Sequence, residues 1–134
     1  MNLLDLTGKR ALVTGSSRGI GRAAALLLAK LGAEVVFHGS KASDKLASVA
    51  AEAGAVSFVA DFEKPEEVTK LADELITEDK VPDILVLNAS VQSYTGLENF
   101  DAGEFDRMFR ANVESSCILL NRLLPEMRKM APGG

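Results

Sequence analysis

Four short apolar runs, each followed by a longer stretch with helical spacing, constrain this chain more than any other feature. RALVT precedes IGRAAALLLAKLG, EVVFH precedes SDKLASVAAEAG, VSFVA precedes PEEVTKLADELITE, and DILVLN precedes a loop and then DAGEFDRMFRANVESSCILLNRLLPEMRK. Strands and helices in such alternation bury their apolar sides as a parallel sheet with helices on its faces, joined by right-handed crossovers. The cores ALV, VVF, FVA and ILVL lack polar alternation, which predicts strands covered on both faces.

Local signals agree with this reading. Gly32 and Gly54 stand where the first and second helices should stop. Pro65 suits the first turn of the third helix, and Glu66 and Glu67 put negative charge at the positive end of its dipole. Asp101, with Glu104 three residues on, has the form of a capping box. Phe105, Met108, Phe109, Val113, Ser116, Leu119, Leu120, Leu123 and Met127 recur at spacings of three and four, which predicts one core-facing stripe along the last helix. Pro82 and the loop 90–99 are connectors.

With 134 residues, 47% hydrophobic and 25% charged, the chain suits a single domain with one core. A net charge of -4 with no lysine- or arginine-rich run gives no electrostatic footprint for nucleic acid or anionic lipid, so a small-molecule partner is expected. The longest apolar run, AAALLLA, is far short of the roughly 20 residues a membrane span needs. MNLLDLTGKR has no basic start followed by a long apolar core, and Cys117 is alone, so a reducing, cytoplasmic setting is expected. Cys117 itself reads as a small hydrophobe buried on a helix.

The stretch Thr14 to Gly21, TGSSRGIG, lies between the first strand and the first helix. A structural turn needs about one glycine, so three of them ask for a ligand that approaches the backbone closely. Gly15 permits the turn, Gly19 admits a pyrophosphate to the backbone, and Gly21 lets the helix pack on the first strand. Free amides and the helix dipole then meet the phosphate charge. About 20 positions on, FHGSK offers no carboxylate to bond a ribose hydroxyl and repel a 2′-phosphate. Arg18, Ser40 and Lys41 are able to hydrogen-bond that phosphate together, which favours NADP(H) over NAD(H). Lys41 reads equally as a solvated residue opening the second helix, and His38 as a strand-end filler.

These residues carry a family resemblance. TGSSRGIG resembles the T-G-x-x-x-G-x-G cofactor motif of the short-chain dehydrogenase/reductase family, and Arg18 matches the basic residue of its phosphate-preferring members. Asp61 in VADFEKPEEV stands where the family has an aspartate that bonds the adenine amino group. LNAS, residues 87–90, stands where it has N-N-A-G after the fourth strand, and Asn112 in FRANVESS where it has the asparagine of the long helix. The ordered matches cover nearly all of the chain. The resemblance implies a Rossmann-type three-layer α/β/α fold with strand order 3-2-1-4, and hydride transfer between a nicotinamide cofactor and a small carbonyl or alcohol substrate. It implies a cofactor site of Gly15, Ser17, Arg18, Gly19, Ile20, Gly21, Ser40, Lys41, Asp61, Phe62, Asn88, Ala89 and Ser90, with Asn112 as the catalytic-set member and no metal. The carrier-protein ketoreductase and sugar-alcohol branches look nearest.

The pattern is departed from at Leu87, in place of the first asparagine, and at Ser90, in place of glycine, where a side chain narrows the approach to the nicotinamide half. The family's Y-x-x-x-K is absent: the sole tyrosine is Tyr94, and Glu98 stands four residues beyond it. A glutamate there raises a phenol's pKa rather than lowering it. Proline and paired glycines in MAPGG look like an interior turn before a further strand. The expectation is therefore a cofactor-binding domain over residues 1–134, incomplete and inactive alone, with the fourth strand as an unprotected sheet edge and a homo-oligomeric parent. Two other readings stay open: a non-catalytic nucleotide-binding or redox-sensing module, and an assembly fragment without ligand. A methyltransferase fits less well, since the second strand lacks a terminal acid.

Overall fold

The chain alternates strand and helix from Arg10 onward. The computed structural model describes residues 4–130. Arg10–Val13 (β1), Glu34–Gly39 (β2), Val56–Val59 (β3) and Ile84–Val86 (β4) form one parallel sheet in the order β3-β2-β1-β4. Between them run Gly19–Lys30 (α1), Asp44–Glu52 (α2) and Pro65–Thr77 (α3). After β4 come a single turn at Leu97–Asn99, Ala102–Phe109 (α4), a π turn at Arg110–Glu114, and Ser115–Met130 (α5).

Alternation along each strand builds the layers. Leu12 and Val36 point into a core with Val68 and Leu71 of α3 and Leu119 and Leu123 of α5. Ala11, Val13, Val35 and Phe37 point the other way, against Ala25 of α1 and Leu46 and Val49 of α2. The expected three-layer architecture and strand order are both present. Gly32 and Gly54 stop their helices with φ of 99° and 61°, a left-handed conformation that favours glycine. Pro65 is at the start of α3, as expected. No helix among the described residues is long and apolar enough to cross a membrane.

Several expectations need correction. The strands are not all covered on both faces: Val56 and Val59 of β3 are exposed, and β4 is half-buried throughout. Only β1 and β2 lie inside the sheet, so only they need helices on both sides. The last helix does not carry one core stripe. Phe105, Phe109 and Val113 are exposed, while Ala111, Ser115, Leu119 and Leu123, at strict spacings of four, are buried. Phe105 and Leu123 are eighteen residues apart, about five turns at 3.6 residues each, and would share a face in an unbroken helix. The π turn between them inserts an extra residue and rotates the downstream half by about 100°. Cys117 is exposed on this helix, not buried. Asp101 caps α4 by accepting the Glu104 amide, but the reciprocal half of the box is replaced, since Glu104 bonds Arg107. α2 opens at Asp44 with Ser43 as its cap, so Lys41 lies in the preceding turn. The turn expected in APGG falls outside the described residues.

Candidate functional site

β1 delivers the chain to the C-terminal edge of the sheet, where buried Thr14 fastens the next two segments together. Its amide donates to Val86 O at 3.0 Å, and its Oγ1 accepts the amides of Asn88 at 2.9 Å and Ala89 at 3.0 Å. Gly15 then turns with φ of 65°, and a Cβ there would stand 2.8 Å from the Ala89 Cα. The Asn88 carboxamide donates to Thr14 O at 3.1 Å and to Gly15 O at 3.2 Å. A Cβ on Gly21 would collide with the Gly15 carbonyl and stand 2.5 Å from Asn88 Nδ2. Gly21 thus admits the loop that leaves β1 and the Asn88 carboxamide to the helix.

Beyond this knot the backbone opens. After the Ser16 amide, which donates to His38 O at 2.8 Å, the next amide with an acceptor is that of Arg22 in α1, to Arg18 O at 3.2 Å. The amides of Ser17, Arg18, Gly19, Ile20 and Gly21 find no acceptor among the described residues. Gly19 has φ of 59°, and an added Cβ would meet nothing within 4 Å. Unpaired amides at a helix start make an anion cradle, and Gly19 lines the cavity that they border. The Arg18 guanidinium, also exposed, makes no ion pair or hydrogen bond among the described residues.

These amides border a cavity of about 370 Å³. Gly15, Ser17, Arg18, Gly19, Ile20, Gly21, Ser40, Asp61, Phe62, Asn88, Ala89 and Ser90 all line it, which brings together every predicted cofactor residue but Lys41. Lys41 sits one residue past Ser40, exposed and outside the lining.

On the β3 side, Asp61 Oδ1 accepts the Glu63 amide at 3.0 Å, and Lys64 Nζ is 3.7 Å from Oδ2. The Asp61 amide donates to Glu67 Oε2 at 2.7 Å, and that bond, with Lys64 beside it, holds the Glu67 carboxyl below its usual range. Phe62 is buried and stacks on His38 with centroids 4.2 Å apart. Arg107 reaches from α4 to the carboxylates of Glu63 and Glu104 and to Gln92 O, and Arg110 Nε donates to Glu63 O at 3.1 Å. Glu104, then Glu63, push the Arg107 guanidinium further above its already high range. This cluster ties the cavity's β3 wall to the helix after β4.

Asn112 does not line the cavity. Its Oδ1 accepts the Val91 amide at 2.8 Å and its Nδ2 donates to Val91 O at 2.9 Å, so it positions the segment next to Ser90. Tyr94 is 93% exposed, its hydroxyl donates to Gln92 Oε1 at 3.1 Å, and it too lies outside the cavity. Sequence reasoning missed five wall residues: His38, Gly39, Glu63, Val91 and Ala111. The signal for His38 was its place at the end of β2, one strand away from the glycine loop.

The short chain dehydrogenase family profile matches residues 9–134. A short chain dehydrogenase/reductase, nsrJ, of Aspergillus novofumigatus is 41% identical over 112 residues, covering 80% of this chain and 42% of the relative. D-beta-hydroxybutyrate dehydrogenase of Rhizobium meliloti is 35% identical over 131 residues, covering 93% of this chain and 51% of the relative. Among solved structures, a 3-oxoacyl (acyl-carrier-protein) reductase from Agrobacterium tumefaciens C58 with NADP bound superposes with a TM-score of 0.84 at 33% identity, over 95% of this chain and 50% of that one. The Pseudomonas aeruginosa RhlG/NADP active-site complex gives 0.86 at 31% identity, over 96% and 51%. The chain spans about half the length of the relatives it matches. A profile match over most of its length, on a sheet of order 3-2-1-4 with a bared glycine turn after β1, leaves one conclusion: the chain belongs to the short chain dehydrogenase family.

Proposed function

We propose that this chain is the dinucleotide-binding domain of an NADP(H)-dependent oxidoreductase that interconverts a small carbonyl compound and its alcohol. One observation carries the reading: five consecutive amides, Ser17 to Gly21, have no acceptor among the described residues and border a cavity into which β2 sends no carboxylate. The amides hold the pyrophosphate. Arg18 and Ser40, with Lys41 adding charge from the turn, receive the 2′-phosphate. Asp61 and Phe62 form the adenine end, and Asn88, Ala89 and Ser90 the nicotinamide end. The bound nicotinamide supplies the hydride chemistry, and the chain's own residues bind and orient it. NADP in the solved relatives supports the cofactor choice.

Tyr94 has no part in proton transfer, being exposed and away from the cavity. Residues 1–134 therefore act as a binding domain without turnover of their own. The setting is cytoplasmic, and Phe105, Phe109 and Val113, exposed along one ridge, support a homo-oligomer. Titration calorimetry with NADP⁺ and NAD⁺ tests the reading. NADP⁺ binds more tightly, and Arg18→Ala weakens it about 10-fold or more while leaving NAD⁺ nearly unchanged. Equal affinity for the two nucleotides in the parent chain refutes the cofactor choice, and failure to bind either refutes the site.

A further inference from the structure

His38 ends β2 beside the glycine loop, and it is the sole histidine of the sequence. The residue is 1% exposed, yet both ring nitrogens are bonded. Nδ1 accepts the Gly15 amide at 3.0 Å, and Nε2 donates to Ala60 O at 2.9 Å. These partners select one form, the neutral ring with its proton on Nε2, because an amide needs a lone pair and a carbonyl needs a hydrogen. The main chain of the same residue grips the loop as well. His38 O accepts the Ser16 amide at 2.8 Å, and the His38 amide donates to Ser16 Oγ at 2.9 Å. With Phe62 stacked on its face, the ring joins the glycine loop, β2 and the turn after β3. An apolar filler at this strand end would leave the Gly15 amide without an acceptor, a costly state for a half-buried donor.

Resting on the reading of this cavity as a dinucleotide site, we propose that His38 is a positioning residue: its unprotonated Nδ1 holds Gly15 in the left-handed turn and thereby aims the amides of Ser17 to Gly21 at the cofactor's phosphates. Protonation would replace the Nδ1 lone pair with a hydrogen and set two donors face to face, so the loop must let go of the ring. Burial holds the imidazole below its ordinary range, against a smaller opposing effect of the Ala60 carbonyl. The charged groups on the surrounding segments are Arg18 on the loop, Lys41 after β2, and Asp61, Glu63 and Lys64 after β3, and none bonds the ring. The brace is therefore neutral near neutral pH and fails in acid.

Two carboxamides separate the two ring bonds. In His38→Asn, Oδ1 stands where Nδ1 stood and keeps the Gly15 bond; in His38→Gln, the terminal nitrogen reaches the Nε2 position and keeps only the Ala60 bond. NADP⁺ titration calorimetry on the full chain at pH 8, with thermal melts alongside, should give Asn within about 3-fold of the parent and Gln about 10-fold weaker. Between pH 8 and about 5.5 the parent should lose more affinity than Asn, while the ligand's own 2′-phosphate, with a pKa of about 6, titrates in both alike. If Gln does not fold, the parent's single imidazole decides. An Nε2–H tautomer in its ¹⁵N resonances that responds to NADP⁺ supports the proposal, and an Nδ1–H tautomer overturns it. Gln binding like the parent, Asn weakened as much as Gln, or parallel pH curves overturn the role of His38 with the site intact. No NADP⁺ binding by the parent at pH 8 overturns the site reading itself.

Discussion

Gly19 and Gly21 lie two residues apart in one turn, yet the structure assigns them opposite sensitivities. An alanine Cβ at Gly21 runs into the Gly15 carbonyl and stands 2.5 Å from Asn88 Nδ2, and neither neighbour is the free end of a flexible chain. To make room, Asn88 must give up its bonds to Thr14 O and Gly15 O, at about 1 kcal/mol each. Overpacking adds about 1–3 kcal/mol, so Gly21→Ala should cost about 3–5 kcal/mol. At about 3 °C per kcal/mol for a domain of this size, the melting temperature falls by about 10 °C or more. Gly19→Ala meets no atom within 4 Å and suffers only the left-handed backbone, about 1 kcal/mol, or about 3 °C. Gly19 nevertheless lines the cavity, and a methyl there that displaces one charge-assisted hydrogen bond of about 1.5–3 kcal/mol weakens NADP⁺ binding roughly 10- to 100-fold. Circular-dichroism melts and NADP⁺ calorimetry on the two variants decide the matter. Gly19→Ala binding NADP⁺ as tightly as the parent, or Gly21→Ala melting within a few degrees of it, would refute the reasoning.

Thr14→Val keeps the shape of a buried side chain but leaves the Asn88 and Ala89 amides without their acceptor, so urea unfolding should show a loss of about 2–3 kcal/mol. Because burial lowers the folded-state pKa of His38 below its unfolded value, the unfolded chain takes up a proton first as the pH falls below 6.5. Stability should then decline by up to about 1.4 kcal/mol per pH unit until the folded ring protonates, and urea midpoints at pH 7.5 and 5.5 check this against a flatter His38→Asn. The carboxyls of Glu34 and Glu67 lie below their usual 4.5 and so act only at lower pH. Phe105→Glu with Phe109→Glu should shift sedimentation of the proposed homo-oligomer toward monomer with little change in melting temperature, since both rings are exposed.

How much of this was legible beforehand depended on which kind of contact wrote the signal. The parallel sheet with helices on its faces followed from apolar runs and helix stops, because the burial of β1 and β2 and the left-handed turns at Gly32 and Gly54 leave local marks, whereas the strand order came from the family resemblance. The cradle was legible for the same reason, since Gly15 and Gly19 adopt positive φ. His38 was not, because its partners are a backbone amide 23 residues upstream and a carbonyl 22 residues downstream, and backbone groups carry no residue code. Asn112 was named from the resemblance, but its partner was not legible, since its bonds go to the main chain of Val91. The misreading of the last helix has a third cause. Its stripe was counted at a period of 3.6, and nothing in RANVE announces an interrupted count.

That interruption has a lasting effect on what the long helix can serve. Upstream, an aromatic ridge of Phe105 and Phe109 looks away from the sheet; downstream, an aliphatic ridge of Leu119 and Leu123 is sealed into it. Because one π turn divides the two ridges, each half answers to its own neighbour, and substitutions that reshape the outward ridge leave the sealed one undisturbed.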